Sequence, residues 1–341
     1  EILALANYPD YNPNDFVNGI SASNWAKYND SKTKPMFNRA IQGAYAPGST
    51  FKILQALAAL QEGAITPNTK YPCNGQTSTP IKCTHNHGTP VDLEEGIEQS
   101  CNPYFWALYR DLLQQNGYED GHVHFKEHYN DWREIIASFG LGERFANTDV
   151  TEQAKGYLPT TEFYNRIYGQ KGWKAITIRS LSIGQGEILV TPLQLANQAA
   201  AIANKGYYIT PHFNRNDSMK SNIHTTLVDS NHFAVIHRGM ERVMTNGTGR
   251  WYNIPELQMC GKTGTVQNPH GEDHALFIGF APKDNPQIAV AVAVENAGFG
   301  ATWACPIATL VMEQYLCGKI ERNALYERMR SANLINPTNN Q

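Results

Sequence analysis

Ser49-Thr-Phe-Lys-Ile-Leu-Gln-Ala-Leu-Ala-Ala-Leu-Gln-Glu-Gly63 is the stretch whose reading decides the fold. It follows Pro47-Gly48, has no interior helix breaker, and ends on a glycine placed for a C-terminal cap, so a helix is expected. Apolar residues lie on nearly every side of it, which predicts burial in the middle of a domain. Ser49 and Lys52 stand three apart and share one helical face. The helix N-terminus offers partial positive charge and free N–H groups to an anion developing near Ser49. Lys52 is the only charged residue between Ser49 and Gln61. Burial disfavours an ammonium, so a lowered pKa and a general-base role are expected of it. Taken alone, the pair can equally be a capping serine and a lysine that reaches outward to solvent.

Outward from this helix, residues 7–48 are rich in Asn, Pro, Tyr and Gly and read as irregular. Residues 64–90 read as loop, and 91–115 as one or two helices. Thr191-Pro-Leu-Gln194 carries a capping box with proline at the first helical position. That helix is expected to end near Gly206, and another to cover 229–244. Strand-like runs occupy 258–267, 275–281 and 287–295; Pro282-Lys-Asp-Asn-Pro286 between the last two suits a hairpin. A closing helix is expected over 302–316. The first six residues also read as a strand. Strands at both ends with helices between them predict an α+β domain whose sheet draws on both termini. The domain is expected to span 1–335, with 336–341 a tail.

The composition excludes several classes. The chain has 341 residues, with 28 Lys plus Arg against 31 Asp plus Glu, a net charge of −3. That balance argues against a nucleic-acid partner bound through a basic surface. An apolar content of 41% and an aromatic content of 11% exclude disorder. No apolar run is long enough to span a bilayer.

Two further motifs give the Ser49/Lys52 pair its meaning. Ser100-Cys101-Asn102 follows it, and Lys262-Thr263-Gly264-Thr265 lies in an expected strand. Ser-x-x-Lys, Ser-x-Asn and Lys-Thr-Gly, in that order, are the signature of penicillin-binding proteins and class A β-lactamases. The chain resembles the transpeptidase domain of class B penicillin-binding proteins of the elongation type, over nearly its whole length. The resemblance is carried by Asn38-Arg39-Ala40, Gly43-Ala-Tyr-Ala-Pro-Gly-Ser-Thr-Phe-Lys52, Phe139-Gly-Leu-Gly142, Ser182-Ile-Gly-Gln-Gly186 with Thr191-Pro192, and Gly261-Lys-Thr-Gly-Thr265.

The resemblance implies an antiparallel sheet flanked by helices, with an all-helical subdomain. It implies a peptidoglycan stem peptide ending in D-Ala-D-Ala as substrate, attacked by Ser49 with Lys52 as base. Ser100 would relay a proton to the leaving amine, and Asn102 would hold Lys52 and the substrate amide. Lys262, Thr263, Gly264 and Thr265 would face the substrate carboxylate, and the N–H groups of Ser49 and Thr265 would form an oxyanion hole. β-Lactams would acylate Ser49. A membrane glycan polymerase is the implied partner, and the periplasmic face of the bacterial inner membrane the implied location. The abrupt start at Glu1 leads to the expectation that an anchor and a pedestal precede this piece. A β-lactamase or a β-lactam sensor of the same fold is the alternative.

Cys73, Cys83 and Cys101 cluster in sequence, with His85 and His87 between them. Three cysteines and one histidine make a closed tetrahedral zinc set; a Cys73–Cys83 disulfide is the competing reading. The resemblance implies a structural Zn2+ held by Cys73, Cys83, His87 and Cys101, with His85 as the alternative fourth ligand. Other signals carry less. His124-Phe-Lys-Glu-His128 matches a metallopeptidase pattern by letter, but its polar surroundings read as a solvated insertion. Glu143 reads as an exposed turn residue. Cys260, Cys305, Cys317, Tyr104, Phe105, Trp106 and Tyr109 read as core.

Overall fold

The three apolar runs of the last third pair into a sheet. The computed structural model describes residues 1–115, 123–215 and 222–335. In chain order its helices are α1 (Ala22–Tyr28), α2 (Arg39–Gln42), α3 (Lys52–Gln61), α4 (Leu93–Glu98), α5 (Asn102–Leu113), α6 (Val123–Ala137), α7 (Thr161–Tyr168), α8 (Pro192–Ala203), α9 (Phe233–Thr245), α10 (Ala304–Cys317) and α11 (Asn323–Ser331). The strands are β1 (Tyr207–Ile209), β2 (Ile223–Thr225), β3 (Cys260–Val266), β4 (His274–Ala281) and β5 (Ile288–Val294). β1 and β2 form a short hairpin, and β3-β4-β5 an antiparallel sheet with β4 central. Lys262 lies opposite Ile278, and Thr265 opposite Ala275. β4 is buried almost throughout, which is why it reads as an unbroken apolar run. Helices α8, α9 and α10 pack against the sheet.

The α3 helix is buried on every side, as its composition requires. Its one uncharged polar side chain in the interior is accommodated: Gln55 donates to the Leu181 carbonyl at 2.9 Å and accepts from Trp132 Nε1 at 2.7 Å. The capping box at Thr191 forms with both of its hydrogen bonds. Residues 91–115 divide into α4 and α5, and the break between them carries the Ser-x-Asn motif.

Four expectations are corrected. Residues 1–6 form no strand. Ile2 and Leu5 pack instead on a small satellite cluster of Ile41, Val150 and Leu193, beside α8, so among the described residues the three-stranded sheet takes its strands from 260–294 alone. The solvated insertion is also wrong over its described part. Residues 123–131 open helix α6, whose Phe125, Tyr129, Trp132 and Ile136 recur at helical spacing and are buried. The polar residues that suggested solvent lie on its other face, where His124 is exposed and pairs with Glu127. Cys317 is exposed at the end of α10, not core. The 7–48 stretch read as irregular contains helices α1 and α2, and helices α7 and α11 were not foreseen. The rest of the polar stretch, 116–122, and the tail 336–341 lie outside the described residues.

Trp132 is fully buried and joins α6 to α3 through Gln55. Trp132→Ala is expected to lower unfolding free energy by about 3–5 kcal/mol. A urea unfolding midpoint unchanged from the parent protein would contradict this packing.

Candidate active site

Ser49 lies in a 3-10 turn, Gly48–Phe51, that feeds directly into α3 at Lys52. Gly48 has a φ of +54°, and a side chain there would come within 2.9 Å of the Thr265 carbonyl. Glycine therefore meets both demands, the left-handed backbone and the close approach to β3. Across the gap, a Cβ on Gly264 would stand 3.0 Å from Thr50 Cγ2. The turn is fixed from a third side by the 182–186 segment: Gly48 N–H donates to the Gly184 carbonyl at 2.8 Å, and Gln185 Nε2 donates to the Thr265 carbonyl at 3.4 Å. That segment therefore bonds to both the serine turn and β3. Its role here is to hold the serine turn and the Lys-Thr-Gly strand in one frame.

Lys52 is fully buried. Its Nζ donates to the Ser100 carbonyl (2.7 Å), Ser100 Oγ (3.2 Å) and Asn102 Oδ1 (2.6 Å). Three acceptors satisfy three ammonium hydrogens. Loss of hydration still lowers its pKa to about 8, while the neighbouring thiols Cys101 and Cys83 pull the other way. Ser100 has a φ of +53°, a conformation that costs a non-glycine residue on the order of 1–3 kcal/mol. The strained residue is the one whose carbonyl and hydroxyl both meet Lys52. Asn102 Nδ2 donates to the Lys82 carbonyl at 3.0 Å, tying the motif to the 73–90 loop.

Lys262 is likewise fully buried on β3, with its pKa well below the ordinary value because of burial and the nearby Lys52. Two buried amines beside one cleft form a site that favours an anion. The Thr263 hydroxyl hydrogen-bonds that of Thr248 at 2.6 Å, and Gly300 N–H donates to Thr265 Oγ1 at 3.3 Å. The fold thus brings together Ser49, Lys52, Ser100, Asn102 and the Lys262–Thr265 strand, as the motifs require. Sequence reasoning missed Thr248, although glycines on both sides of it mark a turn built for close packing.

Beside this cleft, ligand atoms of Cys73, Cys83, His87 and Cys101 all lie within 4.8 Å of one another. A tetrahedral zinc with Zn–S near 2.3 Å spaces its sulfurs about 3.8 Å apart, so the set closes on such an ion with a small contraction. His87 Nε2 sits 3.3 Å from Cys83 Sγ, and its Nδ1 donates to the Gly88 carbonyl at 2.8 Å. That bond fixes the tautomer and leaves Nε2 free as a donor to metal. His85 is outside the cluster, exposed, and bonded to Thr84 Oγ1. All six cysteines are free thiols. Cys101 is the N-cap of α5 and stands between Ser100 and Asn102. Glu143 is exposed in a bend, as read, and Cys260 and Cys305 are buried.

A serine and a lysine on a buried helix, faced by Ser-x-Asn and by Lys-Thr-Gly on an antiparallel sheet, define the penicillin-recognising serine class. The chain belongs to the penicillin-binding protein transpeptidase family, whose domain matches residues 1–313. Within it, the likeness is to class B penicillin-binding protein 2. The peptidoglycan D,D-transpeptidase MrdA of Acinetobacter baumannii is 32% identical over the whole of this chain and 51% of its own length. The chain therefore spans about half the length of that relative. Penicillin-binding protein 2 of Pseudomonas aeruginosa, solved with WCK 5153, superposes with a TM-score of 0.78 at 34% identity, over 95% of this chain and 70% of that one. Penicillin-binding protein A of M. tuberculosis, solved as a ceftriaxone acyl-enzyme, gives 0.73 at 26% identity, over 93% and 71%.

Proposed function

We propose that this chain is a D,D-transpeptidase domain that cross-links peptidoglycan stem peptides through an acyl-enzyme on Ser49. The observation that carries the reading is the buried Lys52, bonded to both members of the Ser-x-Asn motif one turn away from Ser49. In its neutral form Lys52 takes the proton of Ser49 as the hydroxyl attacks the carbonyl between two D-Ala residues. The N–H groups of Ser49 and Thr265 stabilise the tetrahedral oxyanion. Ser100, bonded to Lys52, passes a proton to the leaving D-Ala amine. Lys262, Thr263 and Thr265 hold the terminal carboxylate, and Asn102 the substrate amide. The amine of a second stem peptide then attacks the acyl-enzyme carbonyl, forms the cross-link and releases Ser49. A β-lactam follows the first half only, since its leaving group stays attached and blocks the second amine.

The M. tuberculosis relative solved as an acyl-enzyme supports this chemistry. A membrane glycan polymerase is the natural partner, because cross-linking needs nascent strands, and elongation at the periplasmic face of the inner membrane is the proposed setting. Among the described residues no helix is long and apolar enough to cross a membrane. The thiol cluster fits zinc by donor chemistry, three sulfurs and one imidazole with a fixed tautomer. Cys73, Cys83, His87 and Cys101 would hold it. The ion would supply structural cross-linking only, pinning Cys101, and with it Ser100 and Asn102, to the 73–90 loop.

Three outcomes follow. The parent protein is expected to form one covalent penicillin adduct per chain by mass spectrometry, and Ser49→Ala none; an adduct on the variant would sink the assignment. Sustained nitrocefin turnover would instead indicate a β-lactamase. Only neutral Lys52 is a base, so acylation should rise about tenfold per pH unit up to the Lys52 pKa of about 8 and then level off. A rate falling over that range would contradict the role of Lys52. Elemental analysis should find one zinc per chain, lost in Cys83→Ser together with a lower melting temperature; metal-free protein with unchanged melting on this substitution would end the zinc proposal.

A further inference from the structure

The Gly247-Thr248-Gly249 turn lies between the two motif-bearing walls of the cleft, and none of the roles above uses it. It follows directly from α9, and its backbone is held on both sides of the threonine: Gly247 N–H donates to the Arg242 carbonyl at 2.8 Å and Gly249 N–H to the Val243 carbonyl at 2.9 Å. A Cβ on Gly247 would come within 2.4 Å of the Glu98 carbonyl, and one on Gly249 within 2.7 Å of Met244 Sδ. No other residue fits at either place without displacing the backbone of α4 or the core. Helix α9 is in turn tied to α4 by Arg242–Glu98 and Arg238–Glu94, two residues short of Ser100. Thr248 is thus presented by a wedge whose position is set from the Ser-x-Asn side. It is half-buried, and its hydroxyl meets that of Thr263, on the opposite wall, at 2.6 Å.

A hydroxyl has one hydrogen and can accept as well as donate. If Thr263 donated to Thr248, its hydrogen would be spent inside the protein. If Thr248 donates, the Thr263 hydrogen is free for the cleft, and the chain of two hydroxyls polarises it further. We infer that Thr248 is a positioning residue for carboxylate recognition: it donates to Thr263 Oγ1 and so turns the Thr263 O–H towards the terminal carboxylate of the substrate. The inference rests on the transpeptidase reading above. It makes selection of a free carboxylate, and not acylation as such, the property that depends on Thr248.

The test compares Ser49 acylation rate constants for benzylpenicillin and for its methyl ester, in the parent protein, Thr248→Val, Thr248→Ala and Thr248→Ser. Loss of one oriented hydrogen bond to a charged group is expected to slow the acid about tenfold in the Val and Ala variants. The ester should change little, so the acid-to-ester ratio falls by the same factor. Thr248→Ser should restore it. Equal slowing of acid and ester would mean a structural role only and would overturn the inference, as would an unchanged ratio in either variant that folds. A parent protein that neither compound acylates would overturn the transpeptidase reading itself, and this inference with it.

Discussion

The site depends on one buried cation. An ammonium removed from water is costly unless its hydrogens are taken up, and Lys52 gives all three to acceptors in the Ser100–Asn102 corner. That requirement explains features that would otherwise be unrelated. Ser100 keeps a left-handed backbone because this aims its carbonyl at Nζ. α4 and α5 are separate helices because an unbroken helix would spend that carbonyl on its own ladder. The Arg242–Glu98 and Arg238–Glu94 pairs hold α4 against α9 and keep the corner closed. The pairs are partly exposed, so their worth lies more in geometry than in stability.

A second constraint is the narrow gap between the serine turn and β3. β3 is an edge strand of its sheet among the described residues, so its outer side is left to face the serine turn. Glycines at 48 and 264 let turn and strand approach closely, while the 182–186 segment bonds to both. At the outer end, Glu295 just beyond β5 accepts from Arg39 Nε and Tyr45 Oη, each at 2.8 Å. Burial raises the Glu295 pKa, but these two bonds outweigh it and hold the carboxyl below its usual range. The Asn38-Arg39-Ala40 and Gly43–Lys52 stretches are thereby docked on the sheet as one unit.

Much of this was legible in the sequence, for a physical reason. Helix α3, the capping box at Thr191 and the three strands of the sheet are specified locally, by periodicity and turn residues. The motif residues were legible because their chemistry admits few substitutes. What was missed depends on tertiary choice. Ile2 and Leu5 have a strand-like pattern, but a nearby apolar cluster, not a sheet edge, receives them. Polar residues between Phe125 and Trp132 masked a helical period that is plain once the two are seen on one buried face. Thr248 carries no charge and no reactive group, and only its partner across the cleft gives it significance. His87, which the resemblance singled out, stands with Cys73, Cys83 and Cys101, while His85, which the spacing left equally open, lies outside that group.

The Arg39–Glu295 bond joins residues 256 positions apart, and the serine turn rests on strands from the last third of the chain. Such long-range closure is slow and comes late in folding. A chain emerging from a ribosome carries Ser49 and Lys52 long before it carries β3. Until the chain has folded, Lys52 is hydrated and keeps the ordinary lysine affinity for its proton, so the base proposed for Ser49 is not yet available. On the proposed reading, activation of Ser49 is therefore reserved for the finished domain, and an unfinished copy would be inert towards stem peptide and β-lactam alike.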